Sequence, residues 1–577
     1  MLKAAALSPR VTIANPPENA RAALAAIQQA FEQNAQIIAL PELFLSGCTC
    51  GDLFLQSALI EACEAALHWL AEQTKHSAAL IAIGLPARMD DHLYNCAAVL
   101  QNGQVLGLVP KQNLSHAEAR WFTAGEERAI FQFNSRSVGI EIDEITNQDV
   151  DIMLHLAADP KLVGRTEKTR DLLARQSARL HCGYVYASAG KGESSTDTVF
   201  TGQCLIAERG HILGGNIASF DFERQPLELP EKLTLRTISP TPFVPQDPQE
   251  LHERCREIFE IQAAAVAQRL IHTSMNKMIL GLSGGGDSTL TLLVTVKVAK
   301  LLNLPRENIL CITMPGFGTS QFTHDTADAL AKAFGVPLRE IDIRPACELH
   351  MRDIGHDPAA RDITYENIQA RQRTQTLMNL ANQQNALLLG TGCLSELALG
   401  WCTYNADHMS MYNPNCGVPK TLVRHLIEHV ASKSSADQSA ALRRVTATPV
   451  SPELLPPNPQ GHIAQRTEDE IGPYELHDFF LYHFYRHGHT PEELFAMAVQ
   501  AFDSTYPPAQ IKQTLIVFLR RFFAQQFKRS CLPDGPRIGS VSLSPRSGLV
   551  MPSDADASIW LQRTEEIACN LPENGVQ

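Results

Sequence analysis

Short apolar runs alternate with stretches whose apolar positions recur at helical spacing along most of the chain. In the first part, Val11-Thr12-Ile13-Ala14 reads as a short strand and 17–33 as an alanine-rich helix. Gln36-Ile37-Ile38-Ala39-Leu40 reads as a buried strand ending at Pro41-Glu42. Asn102-Gly103, between strand-like runs at 94–101 and 104–110, predicts a type I′ hairpin. Further strands are expected at 138–142, 150–156 and 183–188, which makes residues 1–225 one α/β unit. Pro226, Pro230, Pro240, Pro242, Pro245 and Pro248 then forbid helix or central strand, so 226–250 is expected to be an extended connector. Beyond it, a helical run at 251–272 leads into strands at 277–282, 308–314, 338–343 and 386–391. These alternate with helices at 288–302, 322–335 and 366–384, the pattern of a parallel sheet covered on both faces. Ligands of such a sheet lie at the carboxyl ends of its strands. The small, polar stretch 431–440 is expected to be a mobile loop.

A length of 577 residues supports two domains, here 1–225 and 251–577. The net charge of −13, with no Lys/Arg-rich block, argues against nucleic acid as the main partner. No apolar run is long enough to span a membrane, and the apolar part of the N-terminus is too short for a signal peptide. The fourteen cysteines show no CxxC spacing and often sit in apolar runs, so they read as reduced core thiols of a cytoplasmic protein. Cys48 and Cys50, without a second pair nearby, do not make a metal site.

The chemistry concentrates after the strand at 277–282. Gly281-Leu282-Ser283-Gly284-Gly285-Gly286-Asp287-Ser288 joins that strand to a helix start. Backbone amides of such a turn converge on one phosphate-sized volume. The spacing is not that of a Walker A box. It is similar to the SGGxDS loop of enzymes that split ATP between its α and β phosphates.

Five more strings occur in the same order: TMPGFGTS (313–320), RDITYENIQARQRTQ (361–375), LLGTGCLSELALGWCTYNADHMSMY (388–412), EDEIGPYELHDFFLYHF (468–484) and MPSDA (551–555). With them, residues 251–555 resemble NAD synthetase. The resemblance implies ATP and Mg²⁺, with Asp287 and Glu396 as metal ligands. Both would face the cleft, Glu396 about one helical turn past Thr391. Ser283, Ser288 and the loop amides would hold ATP phosphates, with Thr391 contacting the nucleotide. Asn367, Glu396, Trp401, Cys402, Thr403, Tyr404 and Asp407 would bind deamido-NAD. Arg371, four residues after Asn367 and so on the same helix face, would pair with a substrate phosphate. Lys420 and Lys528 would face polyphosphate, Lys420 as part of the catalytic set with Asp287 and Glu396. The alternative for Lys528 is a solvated basic face shared with Arg520, Arg521 and Arg529.

Residues 1–225 resemble the nitrilase-type amidase domain that supplies ammonia in glutamine-dependent members, through ALPELFLSGCTCGDLF (39–54) and QSARLHCGYVYASAGKGESSTDTVF (176–200). The fold implied is α/β throughout: an α-β-β-α sandwich followed by a Rossmann-like parallel sheet. That family's base, cation and nucleophile are Glu, Lys and Cys. Glu42 and Lys111 match the first two. Asp143 stands where the nucleophile is expected, since Gly139-Ile140-Glu141-Ile142-Asp143-Glu144 replaces Gly-Val-Glu-Ile-Cys-Glu. The stretch after Lys111 lacks the family's Pro-Asn-Tyr, and His155-Leu-Ala-Ala-Asp-Pro160 lacks its serines. A carboxylate is a poor attacker on an amide beside another acid. Cys48 and Cys50 belong to a different loop.

The expected activity is NAD formation from deamido-NAD, ATP and free ammonia by a homo-oligomer. Its first domain would be silent as an amidase and could receive ammonia from a separate protein. One alternative keeps glutamine as donor; another makes the chain a non-catalytic nucleotide sensor or scaffold.

Overall fold

The computed structural model describes residues 2–126, 129–143, 148–227, 238–448, 454–455 and 467–568. The chain forms two compact units, Met1–Ser194 with Val199–Thr234, and Ser195–Thr198 with Leu235–Gln577. Ser195–Thr198, expected in the first domain, thus counts with the second.

The first unit runs β1 (Leu2–Ala6), α1 (Pro16–Glu32), β2 (Ile37–Ala39), α2 (Ser57–Gln73), β3 (Leu80–Met89), β4 (His92–Gln101), β5 (Gln104–Pro110), β6 (Ile130–Phe133), β7 (Arg136–Ile142), β8 (Ile152–Ala157), α3 (Arg165–Arg179), β9 (Gly183–Ser188), β10 (Cys204–Glu208), β11 (His211–Leu213) and β12 (Ile217–Phe220). Two six-stranded sheets result, ordered β12-β1-β2-β3-β4-β5 and β11-β10-β9-β8-β7-β6. Alternation along the strands gives each sheet two apolar faces. Ala4, Ile37, Ala39 and Val99 of one sheet pack on Ile140, Leu154, Val185 and Ile206 of the other. Ile38, Ile81 and Ile83 turn outward under α1 and α2, and Met153, Tyr184 and Tyr186 under α3. The result is the α-β-β-α sandwich.

Asn102 (φ 50°) and Gly103 (φ 79°) carry the two left-handed conformations that a type I′ turn requires. The strand expected at 11–14 is absent, and β1 takes its place in the sheet. Thr12 spends its backbone groups on the Asn19 side chain, at 2.7 and 3.0 Å, and Ala14 is left-handed. The segment is therefore a turn into α1.

The connector expected over 226–250 lies partly outside the described residues. Its last part is already helical: Asp247 caps α4 (Pro248–Thr273) by accepting from the Glu250 amide. The second unit continues with β13 (Met278–Gly281), α5 (Gly286–Leu301), β14 (Ile309–Thr313), α6 (Gln321–Phe334), β15 (Leu338–Glu340), α7 (Arg344–Asp353), α8 (Ile363–Gln384), β16 (Leu387–Leu388), α9 (Leu394–Leu399), α10 (Lys420–Ala431) and α11 (Ala436–Thr446). Then come α12 (Thr467–Ile471), α13 (Tyr474–His487), α14 (Pro491–Ala501), α15 (Pro508–Ala524), α16 (Gln526–Arg529) and α17 (Ser558–Glu565). The sheet, ordered β15-β14-β13-β16, is parallel throughout. From β13 the chain steps to one side for β14 and, later, to the other for β16. Loops at the carboxyl ends of β13 and β16 therefore diverge over a crevice, where an open α/β sheet takes ligands. The loop expected at 431–440 is corrected: Ser435 caps α11 by accepting from Gln438, so most of the stretch is helix end and helix start. Helices α13, α14 and α15 close on a phenylalanine-rich core around Phe479, Phe480, Phe495, Phe518 and Phe522. Among the described residues, no helix is long and apolar enough to cross a membrane.

Candidate active site

A cleft of about 1330 Å³ opens over the carboxyl ends of β13 and β16 in the second unit. Nearly every residue singled out above in 281–288 and beyond lines it, with Gly284 the exception. Gly284 has φ +84°, and a Cβ there would sit 2.5 Å from the Thr323 carbonyl oxygen. Its role is to let the loop lie flat on the first turn of α6. Ser288 ties the loop to its helix, with its Oγ accepting from the Ser283 amide at 3.3 Å and donating to the Gly285 carbonyl at 3.1 Å. Gly285, Gly286 and Asp287 put the start of α5 at the cleft wall, and a helix N-terminus there suits an anion.

Three charged side chains meet beside that loop. Lys420 Nζ donates to Asp287 Oδ2 at 2.5 Å and to Glu396 Oε1 at 2.9 Å. Burial, then the nearby Glu396, pushes the Asp287 carboxyl up to about 6. Burial works against the Lys420 charge, but Asp287 and Glu396 outweigh it and hold the ammonium well above its ordinary range. Thr391 lies in the loop before α9, and Glu396 sits in the first turn of α9. Cys393 caps α9, its amide donating to Glu396 Oε2 at 3.1 Å.

Donor atoms of Asp287, Cys393 and Glu396 lie within 4.8 Å of one another. Burial, then Glu396, drives the Cys393 thiol far above its usual range, so it stays protonated and the set offers carboxylate oxygens. Asp287 Oδ1 is buried without a hydrogen-bond partner among the described residues. Hard oxygen donors with one left open fit Mg²⁺.

Another wall of the cleft is a turn-rich loop after α9. Thr403 Oγ1 donates to Asn367 Oδ1 at 2.9 Å, and the Thr403 amide to Asp407 Oδ1 at 2.8 Å. Arg371 Nε reaches the Tyr404 carbonyl at 3.4 Å. Tyr404 is half-exposed beside His408 and Phe527, and Trp401 lies under the Arg521 guanidinium, 4.8 Å from the ring centroid. Lys528, expected against polyphosphate, lines the cleft but donates to the Gly400 and Cys402 carbonyls at 2.8 and 2.6 Å. Here it braces the substrate loop.

Several supports escaped the sequence reading. Asn415 Nδ2 reaches the Asp287 carbonyl, Thr291 Oγ1 and the Thr391 carbonyl at 3.1, 2.9 and 3.2 Å, clamping both loop ends. Asp478, pushed up to about 6 by burial, accepts from Ser395 and from the Thr421 amide and hydroxyl. It thereby fixes the helices bearing Glu396 and Lys420. Asp478 lies within a recognised string; Asn415 had no such signal.

In the first unit, Glu42, Lys111 and Asp143 do come together. Gly84 of β3 makes room for the Glu42 turn, since a Cβ there would meet the Leu43 nitrogen at 2.3 Å. Lys111 Nζ contacts Glu42 Oε1 at 2.9 Å, Glu118 Oε1 at 2.7 Å and Asp143 Oδ2 at 3.3 Å. Glu118 was not foreseen. Asp143 follows β7 with φ +54°, a conformation a non-glycine residue adopts at a sharp strand-end turn. Cys48 does not supply a thiolate: burial, then Glu193, raises its thiol far above the usual range, and burial pushes Cys50 up to about 12.

Burial raises Glu42 from its ordinary 4.5 to about 7, with Lys111 opposing and Asp143 adding. Its folded value exceeds its unfolded one, so its stabilising contribution is complete below about 4.5 and lost as pH rises through about 7. The loss is on the order of 2–3 kcal/mol. Urea midpoints at pH 5 and pH 8 are expected to differ less in Glu42→Gln than in the wild type. Equal differences would place the titration elsewhere.

An α-β-β-α sandwich followed along the chain by an α/β unit with a glycine-rich loop and paired acids is the make-up of a two-part ATP-dependent ligase. The family models agree: carbon-nitrogen hydrolase matches residues 3–219 and NAD synthase residues 258–513. A glutamine-dependent NAD(+) synthetase from Mycobacterium tuberculosis is 33% identical over 98% of both chains, and one from Mycobacterium leprae 34% identical over 99% of this chain and 98% of its own. The crystal structure of a glutamine-dependent NAD(+) synthetase from Cytophaga hutchinsonii superposes with a TM-score of 0.80 at 21% identity, covering 98% of this chain and all of that one. One from Acinetobacter baumannii, in complex with adenosine diphosphate, gives 0.66 at 25% identity over 95% and 98%. The chain belongs to the NAD(+) synthetase family, ATP-dependent ligases that complete the amide of NAD.

Proposed function

We propose that this synthetase takes free ammonia as its amide donor and that its carbon–nitrogen hydrolase unit is silent towards glutamine. A nicotinate carboxylate oxygen of deamido-NAD attacks the α-phosphorus of ATP, and pyrophosphate leaves towards the amides and hydroxyls of Ser283–Ser288. Ammonia then attacks the carbonyl carbon of the mixed anhydride, loses a proton, and AMP departs. Asp287 and Glu396 would hold Mg²⁺, which when bound supplies charge neutralisation at the phosphates. Lys420 spreads positive charge along the same edge, while Asn367, Thr403 and Asp407 order the loop that receives deamido-NAD. Positioning and exclusion of water suffice, without a covalent nucleophile.

The donor assignment is supported by one contact: Asp143 Oδ2 lies 3.3 Å from Lys111 Nζ, and the family resemblance would put the amidase's sulfur at that residue. A carboxylate is a weak nucleophile towards an amide. The curated relatives above are named glutamine-dependent, so the test is direct. With deamido-NAD, ATP and Mg²⁺, ammonium chloride is expected to support NAD formation. Ammonium-free glutamine should give below about 1% of that rate, the residue expected without an activated nucleophile. Comparable rates with glutamine would overturn the assignment and leave the ligase reaction standing.

A further inference from the structure

At the far end of α13 from the cleft, three imidazoles close on one another. His483 and His487 are four residues apart and share a helix face. Gly488 (φ +67°) ends the helix and turns the chain, which returns His489 to the same spot. Ring centroids lie 5.8 Å apart for His483–His487, 5.7 Å for His483–His489 and 5.6 Å for His487–His489. Three imidazoles around one tetrahedral ion at ordinary Zn–N distances put their centroids about 5 Å apart. The observed triangle is about 0.6–0.8 Å wider, so the three rings would have to close in on the ion.

We propose that His483, His487 and His489 form a binding site for a divalent transition-metal ion of the Zn²⁺ type, separate from the carboxylate pair of the cleft. Ring rotation about the Cβ–Cγ bond, with a small closing movement, turns one nitrogen of each imidazole inward. Three observations carry it besides the spacing. His483 is only 8% exposed, yet neither of its ring nitrogens has a hydrogen-bond partner among the described residues. An unpaired buried imidazole is costly unless something occupies it. His489 Nδ1 lies 3.4 Å from Glu493 Oε2, which leaves Nε2 for an ion in the carboxylate–histidine–metal arrangement. Finally, the Phe479 ring lies tilted 4.4 Å from His483 and Tyr482 flanks both His483 and His487, an apolar shell open on the side of the exposed His487. Burial, reinforced by the neighbouring imidazoles, lowers His483 to about 4, so it is neutral, the ligating form, near pH 7.

Such an ion would staple the end of α13 to the start of α14. The same α13 carries Asp478, which holds the Lys420 helix. The test is competition of the full-length protein with a chromophoric chelator for Zn²⁺, in excess Mg²⁺. Wild type is expected to take one Zn²⁺ at least about 100-fold more tightly than His487→Gln/His489→Gln, because two of three ligands are lost. The exposed single variant His487→Gln should weaken it too, without disturbing packing. Glu396→Gln, which alters the cleft, should keep the tight site. Saturating Zn²⁺ should also raise the melting temperature of wild type and leave the double variant unchanged. Equal Zn²⁺ affinity in wild type and the double variant, or loss of the tight site in Glu396→Gln alone, would overturn the proposal.

Discussion

Lys420→Met is expected to cut NAD formation from ammonium by about 10²–10³-fold, the scale seen when a preorganised charge-stabilising donor is removed from a water-poor site. The ammonium stands between Asp287 and Glu396, with its side chain 9% exposed. Methionine keeps much of the length and apolar bulk of the stem, so packing against Tyr474 is largely retained. The two carboxylates then face one another unneutralised, and breaking a buried ion pair from one side costs about 3–5 kcal/mol. The variant should therefore melt earlier and release less pyrophosphate from ATP and deamido-NAD when ammonia is withheld. A loss below tenfold in both assays would remove Lys420 from the reacting edge.

Gly284→Ala carries the second large effect, for a different reason. The left-handed conformation alone costs an alanine about 1–2 kcal/mol. The added methyl also lands 2.5 Å from the Thr323 carbonyl oxygen, so either the phosphate loop or the first turn of α6 must move. Displacing a pyrophosphate cradle by an ångström costs about 10²-fold in rate through lost alignment. Gly335→Ala is the control: φ is +63° there too, but nothing lies within 4 Å of the new carbon. It should lower stability by about 1 kcal/mol and leave turnover unchanged. If both variants retain turnover alike, close approach at 284 does not matter and the loop's position is not critical.

These two residues also mark what the sequence made legible. Gly284 and Asp287 sit in a continuous string whose turn chemistry has few solutions, so both the loop and its place at a strand end could be read directly. Glu396 was placed by resemblance; its position after a two-residue strand left little periodicity to follow. Apolar runs identified β13, β14 and β16, because those strands are largely buried. The pattern failed at 11–14, where an asparagine side chain takes the hydrogen bonds a sheet would have used, and at 431–440, where a serine cap starts a helix in a stretch that looks loop-like. Lys528 was read by resemblance, and resemblance did not say that its partners are main-chain carbonyls. Asn415 acts across long sequence separations, which no local pattern records. Asp143 was read as a departure from a motif, and the structure brings it to Lys111 alongside Glu42 and Glu118.

Gln262 of α4 donates to Asn415 Oδ1 at 2.9 Å and to the Pro414 carbonyl at 3.1 Å, both far along the chain. The amide that grips the two nucleotide loops is thus anchored to the first helix after the connector. Trimming the protein to a free-standing ligase would have to spare Pro248–Thr273 entire. A fragment opening at β13 would retain every residue that touches substrate and still lose the clasp that keeps the Asp287 and Thr391 loops in register.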